Sequence, residues 1–242
     1  MHTARLERWC SDLIEATVPE ILRWTWDTFG PQVAATSSFQ TQSVPLLHMI
    51  SLEVPEMPVF FLNTGFHFPE TLAFRDRLVR EFGLDVHDLE AQGGTRRFQR
   101  EYGDLYRTDP DGCCRINKVE PMRRALSGLT AWVSGIRGDQ TAERSASRLL
   151  EMAGNTLKVC PMLSWTERDV SRYIREQKLP SHPLSDRGYV SIGCAPCTRP
   201  VSGYTGRRVG RWAGTGKTEC GLHTELRGPT PGAARSSGRE RT

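Results

Sequence analysis

Short apolar runs closed by small polar residues recur along the chain at residues 33–38, 58–63, 85–89 and 131–136. Val33-Ala34-Ala35 ends in Thr36-Ser37-Ser38, Val59-Phe60-Phe61-Leu62 ends in Asn63, and Ala131-Trp132-Val133 ends in Ser134-Gly135. Apolar runs this short, without strict alternation, are the pattern of strands buried on both faces. Between and after them, amphipathic spacing predicts helices over residues 44–52, 69–82, 116–126, 140–150 and 167–177. Strands alternating with helices predict an α/β fold, a mostly parallel, doubly wound sheet covered on both faces. One more helix, about residues 4–26, precedes the first strand and is expected to pack outside the sheet. No internal repeat is visible.

A sheet of that kind binds ligands at the carboxyl ends of its strands, where helix N-termini offer free N–H groups to anions. Three turns fall there. The first carries Ser37, Ser38, Phe39, Gln40, Thr41, Gln42 and Ser43; the second spans residues 63–70 with Thr64 and Gly65; the third spans residues 134–140 with Arg137 and Gln140. Each alone reads as a plain N-cap, but three on successive strands point to a nucleotide. None matches a dinucleotide fingerprint or a Walker loop, so a different nucleotide fold is implied.

Length and composition narrow the setting. At 242 residues, one α/β domain with a sizeable core is expected over 1–226, and 38% apolar with 25% charged residues belongs to a globular protein. No apolar run is long enough to span a membrane and residues 1–15 hold no signal region, so a cytoplasmic protein is expected. In that reducing compartment cysteines serve as ligands or catalysts rather than disulfides. A net charge of +4 suits a small anionic substrate and does not argue for nucleic acid. Residues 227–242 are too poor in apolar side chains to fold and are expected to form a disordered tail.

Four of the seven cysteines form a soft-ligand set, Cys113-Cys114 and Cys194-Ala195-Pro196-Cys197. The second pair also has the spacing of a thioredoxin-type redox motif, but Thr198-Arg199-Pro200 stops the helix such a motif needs. Adjacent residues on a helix point about 100° apart. That suits a compact iron–sulfur cubane better than a tetrahedral zinc, whose ligands are normally spaced two to four apart. A fifth thiol, Cys220, stands apart in Glu219-Cys220-Gly221-Leu222-His223, as a nucleophile would. It follows Gly214 and Gly216, so residues 203–226 are expected to form a mobile catalytic segment.

With these residues in view, the chain resembles the assimilatory, cluster-bearing branch of the sulfonucleotide (APS/PAPS) reductase family over about residues 23–223. The cysteine quartet, the Glu219-to-His223 motif, Thr36-Ser37-Ser38-Phe39 with Gln42, Leu62-Asn63-Thr64-Gly65, and Gly135-Ile136-Arg137 with Gln140 carry the likeness. So do Lys118 and the pair Arg208 and Arg211 before Trp212. Gln40 departs from the glycine usual in the first loop, and Gly138 stands where the third turn often has an arginine.

The resemblance implies an adenine-nucleotide alpha-hydrolase-like fold, related to the PP-loop proteins, and one 4Fe–4S cluster on Cys113, Cys114, Cys194 and Cys197. It implies Cys220 as nucleophile toward adenylyl sulfate (APS), with Ser37, Ser38, Phe39, Gln42, Thr64, Gly65, Lys118, Arg137, Gln140, Arg208 and Arg211 as substrate contacts. Thioredoxin is the implied electron donor; neither nucleic acid nor membrane is a partner, and self-association is left open. The rival within the family is a reductase of the 3′-phosphorylated nucleotide, PAPS, whose members generally lack the cluster cysteines. An ATP pyrophosphatase-type synthetase would need a Ser-Gly-Gly-x-Asp-Ser loop that residues 37–42 do not supply. A zinc-stabilised binding module would leave Cys220 unexplained.

Overall fold

The computed structural model describes residues 3–202 and 208–226. Six strands share one sheet: β1 (Val33–Ser37), β2 (Val59–Leu62), β3 (Val86–Leu89), β4 (Ala131–Ser134), β5 (Leu150–Ala153) and β6 (Thr156–Val159). Their order is β3-β2-β1-β4-β6-β5, and every pair except β5 with β6 is parallel. Ala35 of β1 faces Val59 on one side and Val133 on the other. The chain leaves β1 toward β2 and β3 and returns on the opposite side at β4. The carboxyl ends of β1 and β4 therefore flank the topological switch point, where this architecture leaves a crevice.

Ten helices complete the described chain. The first two, α1 (Thr3–Asp12) and α2 (Val18–Phe29), replace the single helix expected over residues 4–26. The break has a local cause. Thr17 and Glu20 form a reciprocal capping box, and Pro19 occupies the first turn, where its missing N–H costs nothing. Beside them lie α3 (Val44–Glu53) and α4 (Pro69–Phe82). Leu22 of α2, Leu47 and Ile50 of α3, and Leu78 of α4 join Val33, Val59 and Val133 in the main core, each essentially sealed from solvent. At roughly 1.5–3 kcal/mol per fully buried aliphatic side chain, this layer supplies much of the driving force for folding.

The opposite face is covered by a second cluster, Val119, Met122, Leu126 and Trp132, which also takes in Leu226. The elements leading there are α5 (Gly94–Tyr102), α6 (Leu105–Thr108), α7 (Pro110–Cys114), a π-helical turn (Arg115–Val119) and α8 (Glu120–Leu126). Only α9 (Ala142–Ser145) survives of the helix expected over residues 140–150. Leu150 instead begins a hairpin: it pairs with Val159 across a turn at Gly154, whose φ is +62°. Leu150, Leu157 and Val159 are all sealed in the core, so burial against β4 overrides the local helical pattern. Last comes α10 (Glu167–Glu176), as expected. Among the described residues no helix is long and apolar enough to cross a membrane.

Candidate active site

At the β1/β4 switch point lies a cleft of about 1010 Å3, counted to its open mouth. The first turn contributes Ser37, Ser38 and Gln42, and the third contributes Gly135, Ile136 and Gln140. Lys118, Arg208, Arg211 and Cys220 line the same space. Phe39 does not: its ring is sealed in the core, edge-to-face on Phe61 at 5.6 Å. With a φ of +51° and its N–H donated to the Ser37 hydroxyl (3.0 Å), Phe39 anchors the loop rather than presenting a side chain to a ligand. Gln40 lines the cleft with its side chain tied at both ends. Its Nε2 donates to the Ser38 hydroxyl (3.1 Å) and its Oε1 accepts the Ile192 N–H (3.1 Å), bracing the loop against the strand-like stretch before Cys194.

Three other expected contacts sit outside this cleft. Arg137 is buried beneath the third turn, where Nε donates to Asp139 (3.1 Å) and Nη1 to Gln42, so its side chain orders neighbours that face the cleft. Gly65 adopts a φ of +73°, and a Cβ there would lie 2.9 Å from that of Thr95; glycine is required for backbone reasons. Thr64 points the other way, with its hydroxyl 3.3 Å from the Cys194 sulfur. Thr64 thus meets the cysteine quartet, while His67 carries the second turn's contribution to the cleft.

Cys113, Cys114, Cys194 and Cys197 line one small cavity together with Thr64, Asn117 and Lys118. Asp109 caps α7 by accepting the Gly112 N–H (2.8 Å), which sets the adjacent thiols at the helix end. The π turn that follows widens the backbone, and Asn117 donates to the Cys113 carbonyl (3.2 Å) and approaches its sulfur (3.6 Å). Burial pushes the Cys113 thiol up to about 12, and burial with little relief from Lys118 pushes Cys114 up to about 11. Burial also raises Cys197. Four thiols gathered in one cavity, three of them hard to ionise there, form a donor set that fits a soft, cationic metal centre. Among the described residues, no His, Cys, Asp or Glu group converges on a point as one ion would require.

Cys220 arrives on a segment docked from three directions. Upstream, Trp212 holds Arg211 over its ring at 4.4 Å, with Lys217 at 5.5 Å and Arg208 at 5.6 Å. Its N–H donates to the Cys197 carbonyl (2.9 Å), and Lys217 pairs with Asp111. Next to the nucleophile, Glu219 receives Arg144 Nε (2.7 Å) and Nη2 (3.0 Å), the Thr141 hydroxyl (3.1 Å) and Arg208 (3.4 Å). Downstream, Leu222 and Leu226 pack into the Val119–Trp132 cluster. Neither Arg144 nor the grip on Glu219 is legible in the sequence, because Arg144 falls in a stretch whose charges read as a solvated helix face.

The electrostatics around Cys220 favour a thiolate. Burial and the Glu219 carboxylate push the thiol up, but the Lys118 ammonium, the Leu222 N–H and the Arg208 cation together outweigh them. The thiol ends below its ordinary value. Lys118 is in turn driven down by burial yet held above its usual value by the sulfurs of Cys194, Cys114 and Cys220. Burial and the Arg144 charge lower Arg208 to about 10, which leaves it charged at neutral pH. His67 also lines the cleft, and burial lowers it to about 4, so it stays neutral there.

A mostly parallel sheet with a cleft at its switch point, lined by the nucleotide turns and a thiol, has the architecture of the adenine-nucleotide alpha-hydrolase-like class. Likeness to the FMN adenylyltransferase of Candida glabrata (TM-score 0.56, 14% identity, 81% of this chain and 64% of that one) shows this fold alone. A phosphoadenylyl-sulfate (PAPS) reductase from Candida auris, solved as a phosphate complex, is nearer: TM-score 0.73, 28% identity, 82% of this chain and 98% of that one. Residues 32–200 match the family described as the phosphoadenosine phosphosulfate reductase domain. A Streptomyces coelicolor protein named adenosine 5'-phosphosulfate reductase is 40% identical over 91% of this chain and 94% of its own. One of the same name from Bacillus pumilus is 39% identical over 84% and 89%. The chain belongs to the sulfonucleotide reductase family.

Proposed function

We propose that this protein reduces APS to sulfite and AMP in sulfate assimilation, with Cys220 as nucleophile and thioredoxin as reductant. The observation that carries the reading is a single cleft that brings Cys220 together with Ser37, Ser38 and Gln140 and with the cations Lys118, Arg208 and Arg211. The nucleotide turns receive AMP, and the cations neutralise the sulfate and phosphate groups. The Cys220 thiolate attacks the sulfuryl sulfur, the bond to the phosphate oxygen breaks, and AMP departs, leaving Cys220 as an S-sulfonate. A thioredoxin thiolate then attacks the Cys220 sulfur, sulfite leaves, and the second thioredoxin thiol resolves the mixed disulfide. The dithiol supplies the two electrons that take sulfur from sulfate to sulfite level.

Cys113, Cys114, Cys194 and Cys197 would hold one 4Fe–4S cluster. Bound there, the cluster supplies a fixed charge and a structural anchor, since thioredoxin provides both electrons. Lys118 stands between the two thiol sites and orients charge toward each: it lines the quartet's cavity and the cleft alike. Residues 1–226 act as one domain working in the cytoplasm, with the Cys220 segment as its moving part; the tail expected over residues 227–242 lies outside the described residues.

APS rather than PAPS is supported by the cysteine quartet and by the names of the relatives near 40% identity. Incubating the full-length protein with APS alone tests the reading: one S-sulfonate per chain should map to the peptide holding Cys220, and reduced thioredoxin should release it as sulfite. An adduct on Cys10 or Cys160, or sulfite without any adduct, would remove Cys220 from its role.

A further inference from the structure

The residue that grips Glu219, Arg144, lies in α9 directly after the third nucleotide turn, four positions beyond Gln140. We infer that Arg144 is a positioning residue, a latch that couples occupancy of the nucleotide turns to docking of the segment carrying Cys220. The identity of what Cys220 attacks rests on the APS-reductase reading above; the latch itself does not.

Every nitrogen on the far side of Arg144 is engaged. Nε and Nη2 hold Glu219 at 2.7 and 3.0 Å, and Nη1 donates to the Gln140 side-chain oxygen. Side-chain exposures of 9% for Arg144 and 4% for Glu219 place this forked pair out of water, where geometry and charge both count. Thr141 reinforces it. Its hydroxyl caps α9 by accepting the Arg144 N–H (3.2 Å) and donates to Glu219 (3.1 Å).

The same Gln140 oxygen accepts the Arg137 N–H (3.1 Å), and Arg137 Nη1 donates to Gln42 of the first turn. An unbroken run of hydrogen bonds therefore joins Gln42 to Glu219, the residue beside the nucleophile. Gln42 and Gln140 line the cleft, and Arg144 itself reaches its wall. A nucleotide that orders those two amides also orders the acceptor of Arg144, and by linkage a docked segment must tighten the nucleotide by the same factor.

The other anchors do not replace this one. Lys217 pairs with Asp111, but the carboxylate end is 82% exposed and solvent screens it. Arg208 reaches Glu219 through one longer contact of 3.4 Å and the Thr218 carbonyl at 3.2 and 3.3 Å, from a half-buried position without the forked geometry of Arg144. Leu222 and Leu226 hold only the downstream part of the segment. Loss of Arg144 should therefore free residues 217–221 and leave residues 222–226 seated.

Hydrogen–deuterium exchange on the full-length, cluster-loaded protein, with and without AMP, reads this directly. In the wild type, AMP should slow exchange in residues 217–221. In Arg144→Ala, exchange there should rise about 100-fold, the effect of orphaning one partner of a buried pair, and AMP should no longer slow it. Arg144→Lys should restore part of the protection, and Glu219→Gln should raise exchange less than Arg144→Ala. Unchanged exchange over β1 to β4 shows that the fold is intact; if Arg144→Ala unfolds, Glu219→Gln and Arg144→Lys carry the comparison. The latch is overturned if the variants exchange as the wild type does. It is overturned as well if AMP affinity falls as steeply as protection, which would make Arg144 a direct nucleotide contact. Failure of the wild type to bind AMP would overturn the functional reading, a result distinct from either.

Discussion

The imidazole of His223 lies parallel to the indole of Trp132, with 10° between the planes and 6.1 Å between centroids. Trp132 is at the centre of β4, almost sealed from solvent, and its Nε1 donates to the Thr36 hydroxyl (2.8 Å). The end of the nucleophile segment is thus seated on the sheet itself. Trp132→Ala should cost about 3–5 kcal/mol of stability, as large aromatic truncations in cores do, and should speed exchange in residues 222–226. Trp132→Phe should keep the seat while losing the bond to Thr36. Chemical denaturation and exchange on the same variants check both; an unmoved segment in Trp132→Ala would show that Leu222 and Leu226 suffice.

Cys220 should alkylate with a pH midpoint below 9.0, the ordinary thiol value, because Lys118, the Leu222 N–H and Arg208 together outweigh burial. The sign follows from charge: a nearby cation favours the thiolate, so removing it raises the midpoint. Lys118→Met should move the profile upward, and each unit of that movement costs about tenfold in thiolate at neutral pH. A Lys118→Met profile that overlays the wild type would show that other groups set the thiolate.

Nucleophile and cluster should separate cleanly. Cys194→Ser and Cys197→Ser should lose iron, sulfide and brown colour, whereas Cys220→Ser should retain about four irons and four sulfides per chain. Cys220→Ser should also keep nucleotide binding while making no sulfite, since the serine hydroxyl is un-ionised at neutral pH and forms no disulfide. Elemental analysis after anaerobic purification decides the point. Stoichiometric zinc without sulfide in an active sample would replace the cluster by a single ion.

Turnover should favour APS over PAPS when the two are compared by kcat/KM under saturating thioredoxin. Equal or reversed values would show that a cysteine quartet does not predict 3′-phosphate selection in this chain.

Gln40 shows how a departure in the sequence acquires meaning only in three dimensions. In the sequence it is only a departure from the glycine usual there, yet its two amide ends fasten Ser38 to Ile192. Gln40→Gly should therefore weaken nucleotide binding without loss of fold, by freeing a loop that the brace holds. AMP titration calorimetry checks this, and unchanged affinity would reduce the brace to a bystander.

What the sequence alone determined was local or compositional in origin. Four of the six strands, their parallel pairing, the cysteine quartet and the separate Cys220 all follow from run length, turn residues and ligand chemistry, which act within a few positions of the chain. Tertiary structure decided the rest. The β5–β6 hairpin exists because Leu150, Leu157 and Val159 gain more from burial beside β4 than residues 140–150 gain from continuing a helix. Phe39 and Arg137 turned inward because a sealed ring and a paired guanidinium serve the core beneath the turns better than a solvent-facing cleft. Arg144 met Glu219 from 75 positions away, and no periodicity registers such a pair: its worth comes from exclusion of water, a property of the packed molecule and not of either stretch of chain.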